Sequence, residues 1–331
     1  MNERPASDPP DRRARRDWYV PAWIALFVVA CLGPAIVGAR TLLSVNLIGQ
    51  FYPWVASSAA SVPGHQVCTS DTVDYFMPGI RSMRTAWFQG EFGGWQDVVN
   101  GGGPLGGIPN LGLLSPLSLP YLVLPLWIAP VFVKLLELIV AIGGTFLFLR
   151  RFGVSRSASW LAGFAFATSG FMVMWSNWPQ TRVAALIPAL FWAIERLLSD
   201  RSPRNVALIA VIVASMLLGG FPAVTGWTIY VATAYLAVRV VVLFRHRRRA
   251  ALGVVAAAAS SLVLGLMLSA VQMLPFVLYF QDLDTAYRAE SGSMGLPLSG
   301  LLTLVAPDAY GLCIAGSSPV LGTTNPVELV T

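Results

Sequence analysis

Apolar residues recur along almost the whole chain, in runs separated by short polar or arginine-rich stretches. An α-helix needs about 20 apolar residues to cross the roughly 30 Å of hydrocarbon in a bilayer. The pattern therefore predicts an all-α polytopic membrane protein. Seven runs approach or reach that length and predict seven spans, at about 20–39, 131–149, 158–175, 183–199, 205–220, 225–244 and 252–278.

A long stretch, 40–129, separates the first two predicted spans and is predicted to be the first external loop. Apolar residues recur within it at three- and four-residue steps, a spacing typical of an amphipathic helix that lies in the membrane interface. Pro78 is expected to kink this helix or to begin its second part. The apolar stripe comprises Val73, Phe76, Met77, Ile80, Met83 and Trp87.

Glycine and proline interrupt the second half of this loop. The run from Asn100 through Gly101, Gly102 and Gly103 to Asn110 predicts an irregular segment whose backbone is available to a ligand. Residues 111–128 are apolar but broken by prolines, which fits either a distorted span or a re-entrant segment. The re-entrant alternative is favoured, because it places the arginines at 150, 151 and 156 on the cytoplasmic side with the later arginine clusters.

Composition and charge support the membrane assignment. Hydrophobic residues make up 56% of the chain and charged residues 11%, so no segment is polar enough for a separate soluble domain. The net charge of +6 comes largely from arginine clusters beside apolar runs, at 12–16 and 245–249, rather than from a basic face interleaved with aromatics. This distribution argues against a nucleic-acid partner and predicts a multi-pass protein of the cell membrane with a cytoplasmic N-terminus.

Three regions follow from these patterns. Residues 1–17 have no apolar periodicity and predict a disordered cytoplasmic tail, and 18–311 predict one multi-span membrane domain. Residues 312–331 are expected to be an external segment that is truncated, because the chain ends at Thr331 without a polar tail or a helix stop.

Two carboxylates stand just outside the first predicted span, at Asp71 and Asp74. Apolar surroundings raise the pKa of a carboxyl group, which suits it to act as a general base or a metal ligand. The alternative is structural: Ser70 or Asp71 caps the following helix, and Asp74 lies in its solvated first turn. His65 has no second histidine near it, so a histidine metal site is not expected.

Other charged residues also admit two interpretations. Arg81, Arg84 and Arg182 lie in predicted external loops, where guanidinium groups bind either the phosphate of a substrate or lipid head groups. Lys134 and Glu137 lie inside the second predicted span at helical spacing, so they either neutralise each other or form part of an ion path.

The order of several motifs resembles the YfhO-like membrane proteins, a branch of the type C glycosyltransferase superfamily. The resemblance covers about 20–311. The motifs that carry it are Asp71-Thr72-Val73-Asp74-Tyr75-Phe76-Met77-Pro78, Asn100-Gly101-Gly102-Gly103-Pro104, Leu114-Ser115-Pro116, Gly219-Gly220-Phe221-Pro222, Ser269-Ala270-Val271-Gln272-Met273-Leu274-Pro275, Arg288, Pro297 and Leu304-Val305-Ala306-Pro307-Asp308-Ala309-Tyr310-Gly311.

This resemblance implies a type C-like helix bundle and an enzyme that moves a sugar from a polyprenyl-phosphate carrier to a glycan acceptor on the outer face. By position, Asp71 is the implied general base and Asp74 the second choice. The leaving phosphate and the rest of the substrate are assigned to Arg81, Arg84, Arg182, Arg288, Asn100, Gly102 and Gln272, and the Pro-broken segment 111–130 is expected to frame the entry of the lipid.

Cofactor use and two competing functions remain open. A divalent metal is compatible with the resemblance but is not required by it, because members of the superfamily differ. A transporter or flippase for a lipid-linked glycan is the first competing function; it predicts functional polar residues inside the spans. An inactive accessory membrane subunit is the second, since relatives continue beyond the point that corresponds to Thr331.

Overall fold

The computed structural model describes residues 18–50, 52–56, 70–91, 95, 102, 109–281, 298, 301–302 and 306. Within these ranges the regular elements are helices, and no strand occurs. In chain order the α-helices are α1 (Tyr19–Ile36), α2 (Met77–Phe88), α3 (Leu119–Val123), α4 (Ala129–Arg150), α5 (Arg156–Ala167), α6 (Gly170–Met174), α7 (Pro179–Ala185), α8 (Ile187–Ser199), α9 (Pro203–Leu217), α10 (Pro222–His246) and α11 (Arg248–Gln281).

Four of these helices, α1, α4, α10 and α11, are long and apolar enough to cross a membrane. The described part of the chain is therefore that of an all-α protein with candidate membrane spans. The other three predicted spans are also helical, but they are shorter or broken. Ser169 adopts an extended conformation between α5 and α6, and Pro188 lies in the first turn of α8, where its ring ends the preceding helix.

The proline-rich segment 109–128 forms no helix of spanning length. Short 3₁₀ turns at Pro109–Leu111 and Pro116–Ser118 lead into the single helical turn α3, and a further turn precedes α4. Each proline removes a backbone donor, so the segment is held by contacts with the bundle instead of by a continuous helical ladder. Leu111, Leu113 and Tyr121 are buried there.

The apolar stripe of the predicted amphipathic helix packs on protein. One π-helical turn, Thr72–Phe76, continues directly into α2, with Pro78 in the first turn of α2. Phe76, Ile80 and Met83 are buried in a cluster with residues of segment 109–128 and of α4. A membrane-interface position for α2 therefore stays a prediction, since much of its apolar face is already covered.

Small residues let the central helices approach closely. A side chain at Gly144 of α4 would lie 2.7 Å from the backbone of Ala189 in α8, and one at Gly163 of α5 would lie 2.7 Å from the Ile142 carbonyl. Such contacts are typical of helix packing in membranes, where van der Waals contact largely replaces the hydrophobic effect. They bring α4, α5 and α8 together around the main apolar core.

The loops predicted to be cytoplasmic meet at one end of the bundle, which we call the arginine end (residues 150–156, 195–205 and 245–250). Arg151 donates to the Glu195 carbonyl at 2.9 Å, and Arg201 donates to the Ala250 carbonyl at 3.0 Å.

Loops predicted to be external also meet one another. Asn177 donates to the Leu42 carbonyl at 2.5 Å, and the rings of Phe76 and Trp178 lie 5.1 Å apart. The compartment that each end faces stays a prediction.

Candidate functional site

The acidic turn, residues Ser70–Phe76, begins the π-helical segment before α2. The backbone amides of Val73 and Asp74 both donate to the Ser70 carbonyl, at 2.8 and 3.1 Å. The Ser70 hydroxyl donates to the Asp74 carboxylate at 3.0 Å, whereas Asp71, at the N-cap position, makes no side-chain capping hydrogen bond. Ser70 thus engages Asp74, and the exposed Asp71 carboxylate is not used as a helix cap.

The surroundings of Asp71 make its carboxylate more basic than usual. Partial burial raises the pKa of Asp71 above its ordinary value, and the neighbouring negative charge of Asp74 raises it further, while its own backbone N–H lowers it. Burial likewise raises the pKa of Tyr75, with added contributions from Asp71 and Tyr279. A carboxylate with a raised pKa accepts a proton more readily, as a general base requires.

Aromatic contacts hold the acidic turn against the bundle. The Phe76 ring packs edge-on against Trp178, which packs in turn against Trp175 at 4.8 Å. The turn therefore lies beside the segment 175–182, although the two are about a hundred residues apart in the chain. The predicted sites at 71–84 and at 182 consequently share one region of the molecule.

Arg182 lies at the centre of this region but is almost completely buried, with 1% of its surface exposed. Its Nη1 atom donates to the Leu111 carbonyl at 3.0 Å, to the Gly112 carbonyl at 3.3 Å and to the Ser118 hydroxyl at 2.7 Å. Its guanidinium also lies over the Tyr121 ring. The main described role of Arg182 is thus to fix segment 109–128, and only Nη2 lacks a hydrogen-bond partner among the described residues.

Arg84 has a similar structural role. It donates to the Tyr121 carbonyl at 3.1 Å and to the Leu124 carbonyl at 2.6 Å, at the end of α3 where helical carbonyls lack amide partners. The guanidinium stacks on Phe88 in its own helix. Arg84 therefore ties α2 to segment 109–128.

Arg81 is the exposed arginine of α2. Within the described residues its guanidinium makes no hydrogen bond or ion pair, in contrast to Arg84 one turn later. Of the three described arginines predicted to bind phosphate, Arg81 is the exposed one whose donors are still available to a ligand.

Two further predicted site residues, Gln272 and Gly102, lie in described parts of the chain. Gln272 is buried in α11, and Gly102 has a positive φ of 102° and lies against Trp95. Asn100 and Arg288 lie outside the described residues, as do the predicted tail 1–17, His65 and the segment 312–331.

The structure draws attention to polar residues that sequence reasoning did not single out. Ser118 accepts from Arg182 and donates to the Gly112 carbonyl at 2.6 Å, and Gln180 is 5% exposed. The Oδ1 of Asn177, the Nε1 of Trp178 and the Oε1 of Gln180 are buried without a hydrogen-bond partner among the described residues. Unpaired buried polar atoms are uncommon in proteins. Three of them occur close together in residues 177–180, so this segment beside the acidic turn is a further candidate for ligand contact. The only sequence signal was their position in a short loop that is predicted to be external.

An open apolar groove of about 390 Å³ lies on another side of the bundle, between the α5–α6 region, α7–α8 and α10. None of its lining residues comes from 111–130, so this groove does not follow the expectation that the Pro-broken segment frames a lipid entry. Its apolar lining and its opening to the surface suit a hydrocarbon chain. The lining includes Phe166, Phe171, Ala184, Ile187, Trp227 and Val231.

The buried charges of α4 form a closed pair. Lys134 donates to Glu137 at 3.2 Å and to the Met172 carbonyl at 2.6 Å, and both side chains are buried. Mutual neutralisation of these two residues is confirmed.

The described ranges contain no group of three or more histidine, cysteine, aspartate or glutamate residues that could hold a metal ion. Asp71 and Asp74 offer carboxylate oxygens at one turn, which is fewer ligands than a divalent cation takes. A metal at this turn would need ligands from the substrate or from other parts of the chain.

No family model matches the chain, and no curated protein or solved structure matches it. The function is therefore inferred from the residues of the chain itself.

Proposed function

We propose that the chain is a membrane glycosyltransferase that moves a sugar from a polyprenyl-phosphate carrier to a hydroxyl group of a cell-envelope glycan on the non-cytoplasmic face. The proposal rests on the surroundings of Asp71. Its carboxylate is exposed, is not used as a helix cap and has a raised pKa, and its turn packs on a bundle of apolar helices. This is the environment that a general base beside a membrane requires.

In the proposed reaction Asp71 takes the proton of the acceptor hydroxyl while that oxygen attacks the anomeric carbon. The bond between the anomeric carbon and the carrier phosphate breaks, and its electron pair leaves with the phosphate. A guanidinium near the leaving oxygen would stabilise the negative charge that develops there. Asp71 ends the step protonated and then loses its proton to solvent.

The arginine contacts refine the roles that the resemblance implied. Arg84 and the Nη1 of Arg182 already donate to protein groups in segment 109–128, so both act mainly by positioning this segment. Arg81 has its donors available and is our first choice for the leaving phosphate, with Arg288 retained as a second choice from the resemblance. The apolar groove between α5 and α10 is of a kind that accepts a hydrocarbon chain.

A transporter or flippase for a lipid-linked glycan receives less support. Such a protein needs polar groups along a path through the spans. The charged pair in α4 is closed on itself, since Lys134 bonds both Glu137 and the Met172 carbonyl. An exposed carboxylate at the end of the bundle suits a reaction at the membrane surface better than transport of a glycan across the membrane.

The test is Asp71→Asn, expressed from a plasmid in cells whose own copy is deleted. We expect loss of the glycan modification, accumulation of the lipid-linked donor on the outer leaflet, and unchanged amounts of protein in the membrane. Glu91→Gln is the matched control, because it removes one exposed carboxylate from the same segment outside the acidic turn. Normal modification by Asp71→Asn would refute the catalytic assignment, and donor trapped on the inner leaflet would favour the flippase.

A further inference from the structure

The arginine end has far more positive than negative charge. Its two described carboxylates, Glu195 and Asp200, are both engaged. Glu195 binds the Tyr235 hydroxyl at 2.5 Å and Arg239 at 2.9 Å, and Asp200 accepts from Asn205 and from the backbone amide of Ser202. The arginines at this end are Arg150, Arg151, Arg156, Arg196, Arg201, Arg204, Arg245, Arg247, Arg248 and Arg249.

Four exposed arginines of this end are left with donors to spare. Arg204, Arg245, Arg247 and Arg249 make no side-chain hydrogen bond, ion pair or ring contact within the described residues. Several others are occupied: Arg151 and Arg201, for example, donate to backbone carbonyls that join the loops. The free guanidinium groups are therefore a subset that internal packing does not explain.

The ends of the helices add to the positive potential. Both α9 and α11 begin at this end, and neither has an acidic residue in its first turn. A helix N-terminus carries partial positive charge, which an acidic residue normally offsets. Here Arg204 and Arg249 reinforce that charge instead, so an external anion would stabilise the arrangement.

The free arginines lie at the ends of candidate membrane spans. Three helices of spanning length terminate here: α4 at Arg150, α10 at His246 and α11 at Arg248. The guanidinium of Arg248 also lies over the Phe244 ring at 5.5 Å, so an aromatic side chain and a cation occupy the same level. Aromatic and arginine side chains at helix ends are typical of the head-group layer.

We propose that the arginine end is a docking surface for anionic phospholipid head groups, held by Arg204, Arg245, Arg247 and Arg249. Charge complementarity and the position of these residues at the ends of the spans select this occupant. The phosphate of each head group accepts paired N–H donors from a guanidinium, and the acyl chains extend along the exposed apolar faces of α10 and α11. The surface is independent of the acidic turn at the opposite end.

The experiment measures retained lipid by native mass spectrometry of the full-length protein, purified in neutral detergent and titrated with phosphatidylglycerol or phosphatidylcholine. The test variant replaces Arg204, Arg245, Arg247 and Arg249 with Gln. We expect it to retain phosphatidylglycerol at least about tenfold less well than wild type, since each arginine near an acidic lipid surface contributes roughly a factor of five. Retention of phosphatidylcholine should not change.

Two controls keep the result specific. Replacing Arg12, Arg13, Arg15 and Arg16 with Gln removes the same charge from the N-terminal tail and should lower phosphatidylglycerol retention much less than the test variant does. Replacing the same four arginines with lysine keeps the positive charge and should preserve most of the binding. This variant keeps the proposal testable if the glutamine variant folds poorly. Equal loss in the two glutamine variants, no loss in the test variant, or displacement of lipid by equimolar inorganic phosphate would each overturn the proposal.

Discussion

The two ends of the bundle use arginine and carboxylate in opposite ways. At the acidic turn, Arg84 and Arg182 are occupied by segment 109–128, while the Asp71 carboxylate makes no capping bond. At the arginine end, Glu195 and Asp200 are occupied, while Arg204 and its neighbours are free. Folding thus leaves both a carboxylate, Asp71, and a guanidinium, Arg81, unbonded at the first end, whereas among the described residues it leaves only arginines unbonded at the second.

This difference separates residues that build the site from residues that meet a ligand. A charged side chain that donates to buried protein groups holds the fold together, because its removal leaves those groups unpaired. A charged side chain that is exposed and unbonded contributes little to stability and is available for chemistry or binding. Three substitutions test this division.

The largest effect is expected for Arg182→Met. The substitution removes hydrogen bonds to Leu111, Gly112 and Ser118 and leaves those acceptors buried without their donor. We expect the free energy of unfolding to fall by about 3–5 kcal/mol, because each buried acceptor that loses its donor costs about 1–3 kcal/mol. Denaturant unfolding of the purified protein in detergent measures this loss. Arg81→Met, which removes an exposed arginine of α2, should change it by less than about 0.5 kcal/mol. Similar losses for the two variants would contradict the division between building and ligand-facing arginines.

A smaller effect is expected for Gly112→Ala, which tests the backbone around Arg182. Gly112 has a φ of 58°, and an added Cβ atom would lie 2.4 Å from the Gly219 carbonyl oxygen and 2.8 Å from the Arg182 Nη1. We expect a loss of about 2–4 kcal/mol in the free energy of unfolding.

Gly90→Ala is the matched control for that substitution, because Gly90 has a φ of 83° but no atom within 4 Å of the added methyl group. It isolates backbone strain and should cost about 1 kcal/mol. If Gly112→Ala cost no more than this control, the close packing of Gly112, Arg182 and Gly219 would not be a constraint on the fold.

The smallest effect is expected for Asp74→Asn, read from the pH dependence of sugar transfer. The Asp74 charge raises the pKa of Asp71, so its removal lowers that pKa. A general base acts in its deprotonated form, and activity is lost as pH falls through its pKa. The acid limb of kcat/KM for sugar transfer should therefore move to lower pH, measured with the lipid-linked donor that accumulates in the deleted cells and the glycan that they leave unmodified. Glu91→Gln should leave the limb nearly unmoved, and a shift to higher pH would contradict the role of Asp71.

The raised pKa of Asp71 also determines the direction in which the free energy of unfolding changes with pH. Because the pKa of Asp71 is raised in the folded protein, the folded state holds its proton more tightly than the unfolded state does. Any contribution of Asp71 to the free energy of unfolding is therefore largest at low pH and is lost as pH rises through the raised pKa. Asp71→Asn removes this dependence.

Sequence reasoning located much of the fold and part of the candidate site. Apolar runs predicted helices of spanning length at α1, α4, α10 and α11. The three-residue spacing of Lys134 and Glu137 placed them on one helix face and favoured their ion pair. It did not predict the breaks at Ser169 and before Pro188 that shorten the helices of 158–199, because the apolar pattern continues across those breaks. It also did not predict that the apolar face of α2 would be covered by segment 109–128, since a stripe has the same spacing whether it meets lipid or protein.

The sequence by itself determined the membrane class, the arginine clusters beside apolar runs, the irregular backbone at the prolines and the acidic turn after the first span. These are local properties, set by composition and by the spacing of neighbouring residues. Only the tertiary structure decided which charged side chains are bonded to other groups of the protein. Arg84 bonds a carbonyl 40 residues away and Arg182 one 71 residues away, and no local pattern encodes such pairings. Asp71 and Arg81 stand out as candidates for chemistry because packing at this end engages Arg84 and Arg182.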